Sequence, residues 1–489
     1  MAPRTCGRPR RALRLAGALR QRRQPRGRPW VLAADLRRPR LQLASPPVIP
    51  PPDRLRRILR LALPIIFGMV SQNVLNLVDT GMVGQLGDEA LAGVGIGGFL
   101  NFLLTAFILG LSAGVQAMAA RRVGEGRLEH TAVPLNGGLV LAGLIGVPLS
   151  AALVAAAPTF FPWVGGDPEV VRIGVPYLQM RLLAMTAMGI NFAFRGYWNA
   201  IDKSMLYMGT LIVMHLTNIA LNWVFIFGNL GAPELGATGA GLASAIATWV
   251  GAFSYLGLGF VYARKAGFLR GIPDKDTMRA IVRVSLPAGA QQFFFAAGMT
   301  AFMAIVARVG TRELAASKVM IDLLLVGLLP GLGFGLAAAS LVGQALGRGD
   351  PEDAKRWGYD VSKVAVFVVG LIALPAIVAP EAILAVFLHD PATLRLAAWP
   401  MRLIGLFIAT DSLGMVLMNA LIGAGATRRV MVIATSLQWL FFLPVAFLLG
   451  PVFQSGLLAI WIANIVYRQV QTAAFFLEFR RGAWAQTEV

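Results

Sequence analysis

From Leu61 onward the chain alternates long apolar runs with short breaks rich in Gly, Pro or charge. Each run matches the roughly 20 residues that a helix needs to cross a bilayer. Backbone amides in hydrocarbon must be satisfied within their own segment, so runs of this length can only be helices. The periodicity places them at about 61–83, 90–120, 132–157, 170–198, 205–227, 236–263, 281–308, 314–345, 360–388, 393–424, 430–450 and 455–478, about twelve spans in all. With 57% hydrophobic and 14% charged residues, the chain is far more apolar than a water-soluble protein. The expected fold class is an all-α polytopic membrane protein. The single cysteine, Cys6, excludes an internal disulfide and a thiolate metal cluster, so helix packing alone must hold the fold.

An internal repeat organises these spans. Leu-Arg-Arg-Ile-Leu-Arg-Leu-Ala-Leu-Pro64 returns as Met-Arg-Ala-Ile-Val-Arg-Val-Ser-Leu-Pro287, a shift of 287 − 64 = 223 residues. The same shift maps Gly87 on Gly310, Gly110 on Gly333, Gly124 on Gly347, Asp167 on Asp390 and Pro168 on Pro391. Six spans per copy is an even number, so the two copies enter the membrane in the same orientation. The expected plan is two parallel six-helix lobes, 53–265 and 266–480, with a substrate cavity between or within them and a short tail, 481–489. Lys and Arg accumulate after the even-numbered helices, in Arg121-Arg122 to Arg127, Arg264-Lys265 to Arg283, Arg348 to Lys363, Arg428-Arg429 and Arg480-Arg481. Both termini are therefore expected in the cytoplasm. The formal charge of +20 is concentrated before the first span, where 17 arginines face only Asp35 and Asp53. Residues 1–52 are Arg- and Pro-rich, lack a signal-peptide core and read as a disordered basic tail or an over-extended start; no nucleic-acid partner is expected.

One carboxylate stands out. Asp79 lies inside the apolar run 61–83, where an unpaired charge costs a few kcal/mol or more and usually faces a cavity that moves protons, ions or substrate. Asn73, Asn76 and Asp79 recur at three-residue spacing, so they share one helical face. Desolvation favours the neutral form of a carboxyl group, which brings proton exchange within reach.

Leu75-Asn-Leu-Val-Asp79-Thr-Gly-Met-Val-Gly84-Gln-Leu-Gly87 resembles the first-helix signature of the multidrug and toxic compound extrusion (MATE) family. So do Asn218-Ile-Ala-Leu-Asn222-Trp-Val-Phe-Ile-Phe-Gly228, Gly236-Ala-Thr-Gly239-Ala-Gly-Leu-Ala-Ser244 and Val342-Gly343-Gln344-Ala-Leu-Gly347. The resemblance covers residues 55–480. It implies a secondary active antiporter that exports cationic or amphipathic compounds against inward H⁺ or Na⁺ from a bacterial inner membrane. It also implies Asp79 as the essential acid, Asn218 and Asn222 as its polar partners, Ser244 as a hydroxyl on the sixth helix, and Asp411 as the tenth-helix Asp of the NorM-like branch. That branch also carries a seventh-helix Glu, expected near Phe295, where this chain reads Gln291-Gln292-Phe-Phe-Phe. The sequence therefore looks nearer the DinF-like branch, with coupling in the amino-terminal lobe. Many relatives carry Asp at Asn222; an amide neither supplies a second charge nor accepts a proton, which favours Asp79 as a lone proton carrier, with Na⁺ at Asp79, Asn218 and Asn222 the alternative.

Asn73, Asn76, Tyr197, Met214, Gln291 and Gln292 are candidates to line the substrate cavity, where aromatic and Met surface would hold lipophilic cations. Asp322, four residues after Lys318, reads as a partner of that lysine on one helix face, with a role in coupling the alternative, and His215 as a hydrogen-bonded structural group near Asn218, with a proton relay the alternative. Gly93-Val-Gly95-Ile-Gly97-Gly98 follows no strand and reads as close helix packing. Pro148 and Pro330 mark expected kinks. With no Walker motif, metal-ligand spacing or nucleophile elbow, no enzyme, cofactor or resident metal is expected, and the protein is expected to be a monomer surrounded by lipid. The neighbouring reading is a flippase for lipid-linked precursors, which shares the duplicated plan but usually has extra helices and a more basic cavity.

Overall fold

The computed structural model describes residues 50–388 and 390–487; the basic tail 1–49, where disorder is expected, lies outside them. Among the described residues the chain is helical with no strands. The first six long helices are α1 (Pro52–Gly84), α2 (Asp88–Gly124), α3 (Leu128–Phe160), α4 in two segments (Pro168–Leu182 and Met185–Ala200), α5 (Ser204–Phe227) and α6 (Gly236–Tyr262). The second six are α7 (Lys275–Ala307), α8 (Thr311–Gly347), α9 (Pro351–Val378), α10 (Pro391–Gly423), α11 (Thr427–Val452) and α12 (Gly456–Arg481). Ten of these are long and apolar enough to cross a membrane by composition alone. The other two complete the twelve: α4 is broken at Leu183-Ala184 and carries Arg172, Arg181 and Arg195, and α12 carries Arg468 and Glu478.

The 223-residue repeat is visible in the helix boundaries. Pro52, Asp88, Leu128, Pro168 and Ser204 begin spans, and so do Lys275, Thr311, Pro351, Pro391 and Thr427. The Asp-Pro pairs that the repeat superposes are helix starts: Asp167 accepts a hydrogen bond from the Glu169 N–H, and Asp390 from those of Ala392 and Thr393. An N-cap carboxylate followed by Pro at the first helical position satisfies one orphan amide and removes another. The Thr393 hydroxyl and backbone N–H hold the Asp390 carboxyl below the ordinary aspartate range.

Each lobe has its own apolar core. In the first, Phe194, Tyr197, Trp198, Tyr255 and Phe268 interlock around α4 and α6. In the second, α8, α9, α10 and α12 bury Phe334, Trp357, Leu417 and Phe479 together with Ile58 and Leu61 of α1. The lobes meet where α2, α7 and α8 approach closely. A Cβ at Gly124 would fall on the Gln344 carbonyl and one at Gly347 on the Arg121 carbonyl, so both positions need glycine. The repeat exchanges Gly124 with Gly347, which puts this contact on the pseudo-two-fold axis. Gly110 against Gly289 and Gly333 against Ile66 form a second exchanged pair. All these contacts use the halves of the helices nearest the start of α1 and the end of α2. The opposite halves of α1 and α7 make none of them.

Candidate functional site

α1 presents Asp79 near its end, and α5 faces it with Asn218 and Asn222 one turn apart. The Asn222 amide donates to Asp79 Oδ1 at 2.6 Å. Ser244 of α6 lies 3.0 Å from the Asn218 amide. The network is best satisfied with the Asn218 Nδ2 donating to Asp79 Oδ1 at 2.8 Å, while its Oδ1 accepts from the Ser244 hydroxyl and backbone N–H. Asp79 is half-buried, whereas Asn218 and Asn222 are 3% and 0% exposed. The four residues Asp79, Asn218, Asn222 and Ser244, drawn from three helices, thus form one cluster. Asn222 Oδ1 is buried without a hydrogen-bond partner. A carboxylate with amide and hydroxyl oxygens suits a proton or a hard alkali cation; among the described residues no group of three His, Cys, Asp or Glu gathers for a transition metal.

A second polar track runs along the same two helices. His215 Nε2 lies 3.2 Å from Gln72 Oε1, and Gln72 Nε2 donates to Asn76 Oδ1 at 3.3 Å. His215 is therefore hydrogen-bonded, as expected of a structural histidine. Asn76 is exposed and Asn73 half-buried; Met214 is half-buried, with the Asn191 amide 3.9 Å from its sulfur. On α7, Gln291 is buried and Gln292 half-buried. Tyr197 is a correction: it is fully buried, its hydroxyl facing Thr131 and its ring against Trp198, so it packs the lobe and lines no cavity. Periodicity could not separate these roles, because both place an aromatic on an inward face. Lys318 and Asp322 form the i, i+4 pair at 2.7 Å, with both side chains exposed.

Asp411 stands apart from the Asp79 cluster, in the other lobe. Its Oδ2 accepts from Arg468 Nε at 2.7 Å and also from Arg468 Nη2, and the two side chains are only 8% and 14% exposed. Arg468 is the partner that sequence reasoning missed; its signal was a single arginine within the last apolar run. Arg195, which donates to the Ser112 hydroxyl at 3.1 Å, was missed for the same reason. At Phe295, Gln438 Nε2 donates to the backbone carbonyl, and the repeat maps this contact on that of Gln72 with His215.

The chain matches the MatE family twice, over residues 64–224 and 287–448, and the two matches begin 223 residues apart. A probable multidrug resistance protein NorM of Thermotoga maritima is 28% identical over 455 residues, covering 90% of this chain and 95% of its own. Multidrug resistance protein NorM of Photobacterium profundum is 27% identical over 88% of this chain and 96% of its own. Among solved structures, an outward-facing multidrug resistance MATE family transporter of the MOP superfamily superposes with a TM-score of 0.81 at 21% identity, over 89% of this chain and 97% of that one. A MOP superfamily transporter from Pyrococcus furiosus, described as having a binding pocket of reverse polarity that suggests a different function, gives 0.80 at the same identity and coverage. The duplicated match spans most of the membrane region and repeats the period read from the residues, and the chain belongs to the MatE family of multi-span membrane transporters.

Proposed function

We propose that the chain exports lipophilic or cationic small molecules by antiport against H⁺, with Asp79 as the group that proton and substrate alternately neutralise. The observation that carries this reading is the two-amide grip on Asp79. Asn222 and Asn218 donate to one carboxylate oxygen, which steadies the charged form without supplying a competing acid. In the other lobe Asp411 is already neutralised by Arg468, which supports coupling in the amino-terminal lobe, the DinF-like arrangement, although the relatives matched above carry the NorM name. Na⁺ is the alternative coupling ion, and no cofactor is required.

By loop charge, the side on which the lobes touch is cytoplasmic, so this conformation opens outward and both termini lie on the cytoplasmic side of a bacterial inner membrane. Rocking about the Gly124–Gly347 contact would then expose the same cluster to each side in turn. The protein would work as a monomer. The test is efflux of a lipophilic cation from proteoliposomes under separately imposed pH and Na⁺ gradients. Efflux should follow the pH gradient and fall at least tenfold in Asp79→Asn, with the protein folded. Dependence on Na⁺ and Asp411 would move coupling to the other lobe. Movement of drug by neither gradient would favour the flippase reading.

A further inference from the structure

At the start of α1, at the opposite end of that helix from Asp79, the protein carries a basic cavity. It has a volume of about 560 Å³, large enough for a phospholipid headgroup, and is lined by Asp53, Arg56, Arg57, Arg60, Leu61 and Asp202. Arg57 is held by Asp202 at 2.9 Å and by Gln344. Arg56 and Arg60 are exposed, and among the described residues neither has a carboxylate within ion-pair distance.

The two unpaired arginines head a continuous stripe. Arg56, Arg60, Leu63, Phe67, Val70, Val74 and Leu77 alternate at spacings of four and three, the spacing of one helical face. The apolar members are well exposed, Phe67 at 61% and Leu77 at 73%. Gly68 packs on Tyr207 and Leu211 of α5 and Ile66 against Gly333 of α8, on either side of Phe67, so the stripe looks out between these helices. α1 has 33 residues, well above the roughly 20 that the hydrocarbon needs, so its first turns stand at headgroup level.

We propose that this surface is a specific site for an anionic phospholipid, its phosphate bound by Arg56 and Arg60 and one acyl chain lying along Leu63, Phe67, Val70 and Val74. A zwitterionic lipid would match the stripe and not the unpaired charge; a free phosphate would match the charge and not the stripe.

The full-length protein, reconstituted in vesicles of equimolar phosphatidylcholine and phosphatidylglycerol and gently extracted, is analysed for retained lipid by native mass spectrometry. Wild type should retain phosphatidylglycerol over phosphatidylcholine. Arg56→Ala with Arg60→Ala should lose that preference by about fivefold per arginine. Phe67→Ser should reduce retention of the same lipid. Arg264→Ala with Lys265→Ala, on a different basic loop, should leave it unchanged. Equal retention in the Arg56/Arg60 variant, an equal loss in the Arg264/Lys265 variant, or an unaffected Phe67→Ser protein would each overturn the proposal. So would displacement of the lipid by millimolar inorganic phosphate, which would mark a plain anion site.

Discussion

At Asp79 the decisive neighbour is the nitrogen of Asn222, 2.6 Å from a carboxylate oxygen. Replacing that amide by a second carboxylate, Asn222→Asp, brings two acids to hydrogen-bonding distance, where both cannot ionise without a cation between them. The expected outcome is a change of coupling: Na⁺ gradients should begin to drive efflux in proteoliposomes, and the proton-driven component should shrink. Unchanged ion dependence would mean that position 222 does not select the ion. Asp411 invites the opposite experiment. Its pairing with Arg468 is buried, so Asp411→Asn strands a cation and should cost about 3–5 kcal/mol, read as a lowered Tm in detergent, whereas Asp411→Leu with Arg468→Met should recover most of the loss. The Asp79 cluster was legible because acid, amides and hydroxyl each sit in a recognisable motif. Arg468 was not, since a single charge in an apolar run has no spacing partner and its acid lies 57 residues away.

Helices were easier to read than their interruptions. The repeat predicted matching spans, and starts such as Pro168 and Pro391 coincide because Asp-Pro is a local signal. The break in α4 at Leu183-Ala184 has no such signal; neither residue disfavours a helix, and tertiary packing decides there. The close approach of α2 to α8 was hinted at by glycine yet not assignable, because glycine also occurs where nothing lies nearby. Gly257 on α6 is such a position, with no atom within 4 Å of an added Cβ, while Gly124 is pressed on the Gln344 carbonyl. Gly124→Ala should therefore hold the lobes apart and cut efflux by about tenfold, equivalent to about 1.4 kcal/mol and so within the roughly 1–3 kcal/mol that overpacking costs. Gly257→Ala should stay within about a factor of two of wild type by the same reasoning. Equal effects of the two would remove the seam from the mechanism.

Over the whole molecule the two lobes are alike in helices and unlike in charge. α1 belongs by sequence to the first repeat, yet its opening turns are tied to the second lobe. Arg54 donates to Asp353 and Asp360 of α9, each at 2.7 Å, and its guanidinium lies 3.6 Å above the Trp357 ring. The repeat places Thr277 and Ala280 where α1 has Arg54 and Arg57, so in place of ion pairs the opposite seam has Arg122 Nη2 donating to the Thr277 hydroxyl at 3.4 Å. Separation of the lobes on this side must either break the Arg54 contacts or bend α1, and Pro64 is the point inside the helix where bending is easiest. Arg54→Ala should then favour the conformation closed on the far side, by about tenfold in population if the contacts are worth about 1.4 kcal/mol. Cys6 is the sole cysteine, so Cys6→Ser provides a background for spin labels at Gln85 and Arg308, positions the repeat exchanges at the far ends of α1 and α7. Their separation should shorten in Arg54→Ala. An unchanged distance distribution together with wild-type efflux would mean that α1 travels with the second lobe throughout the cycle. Pro64→Ala, which stiffens α1, would then slow transport, and Arg54→Ala would not.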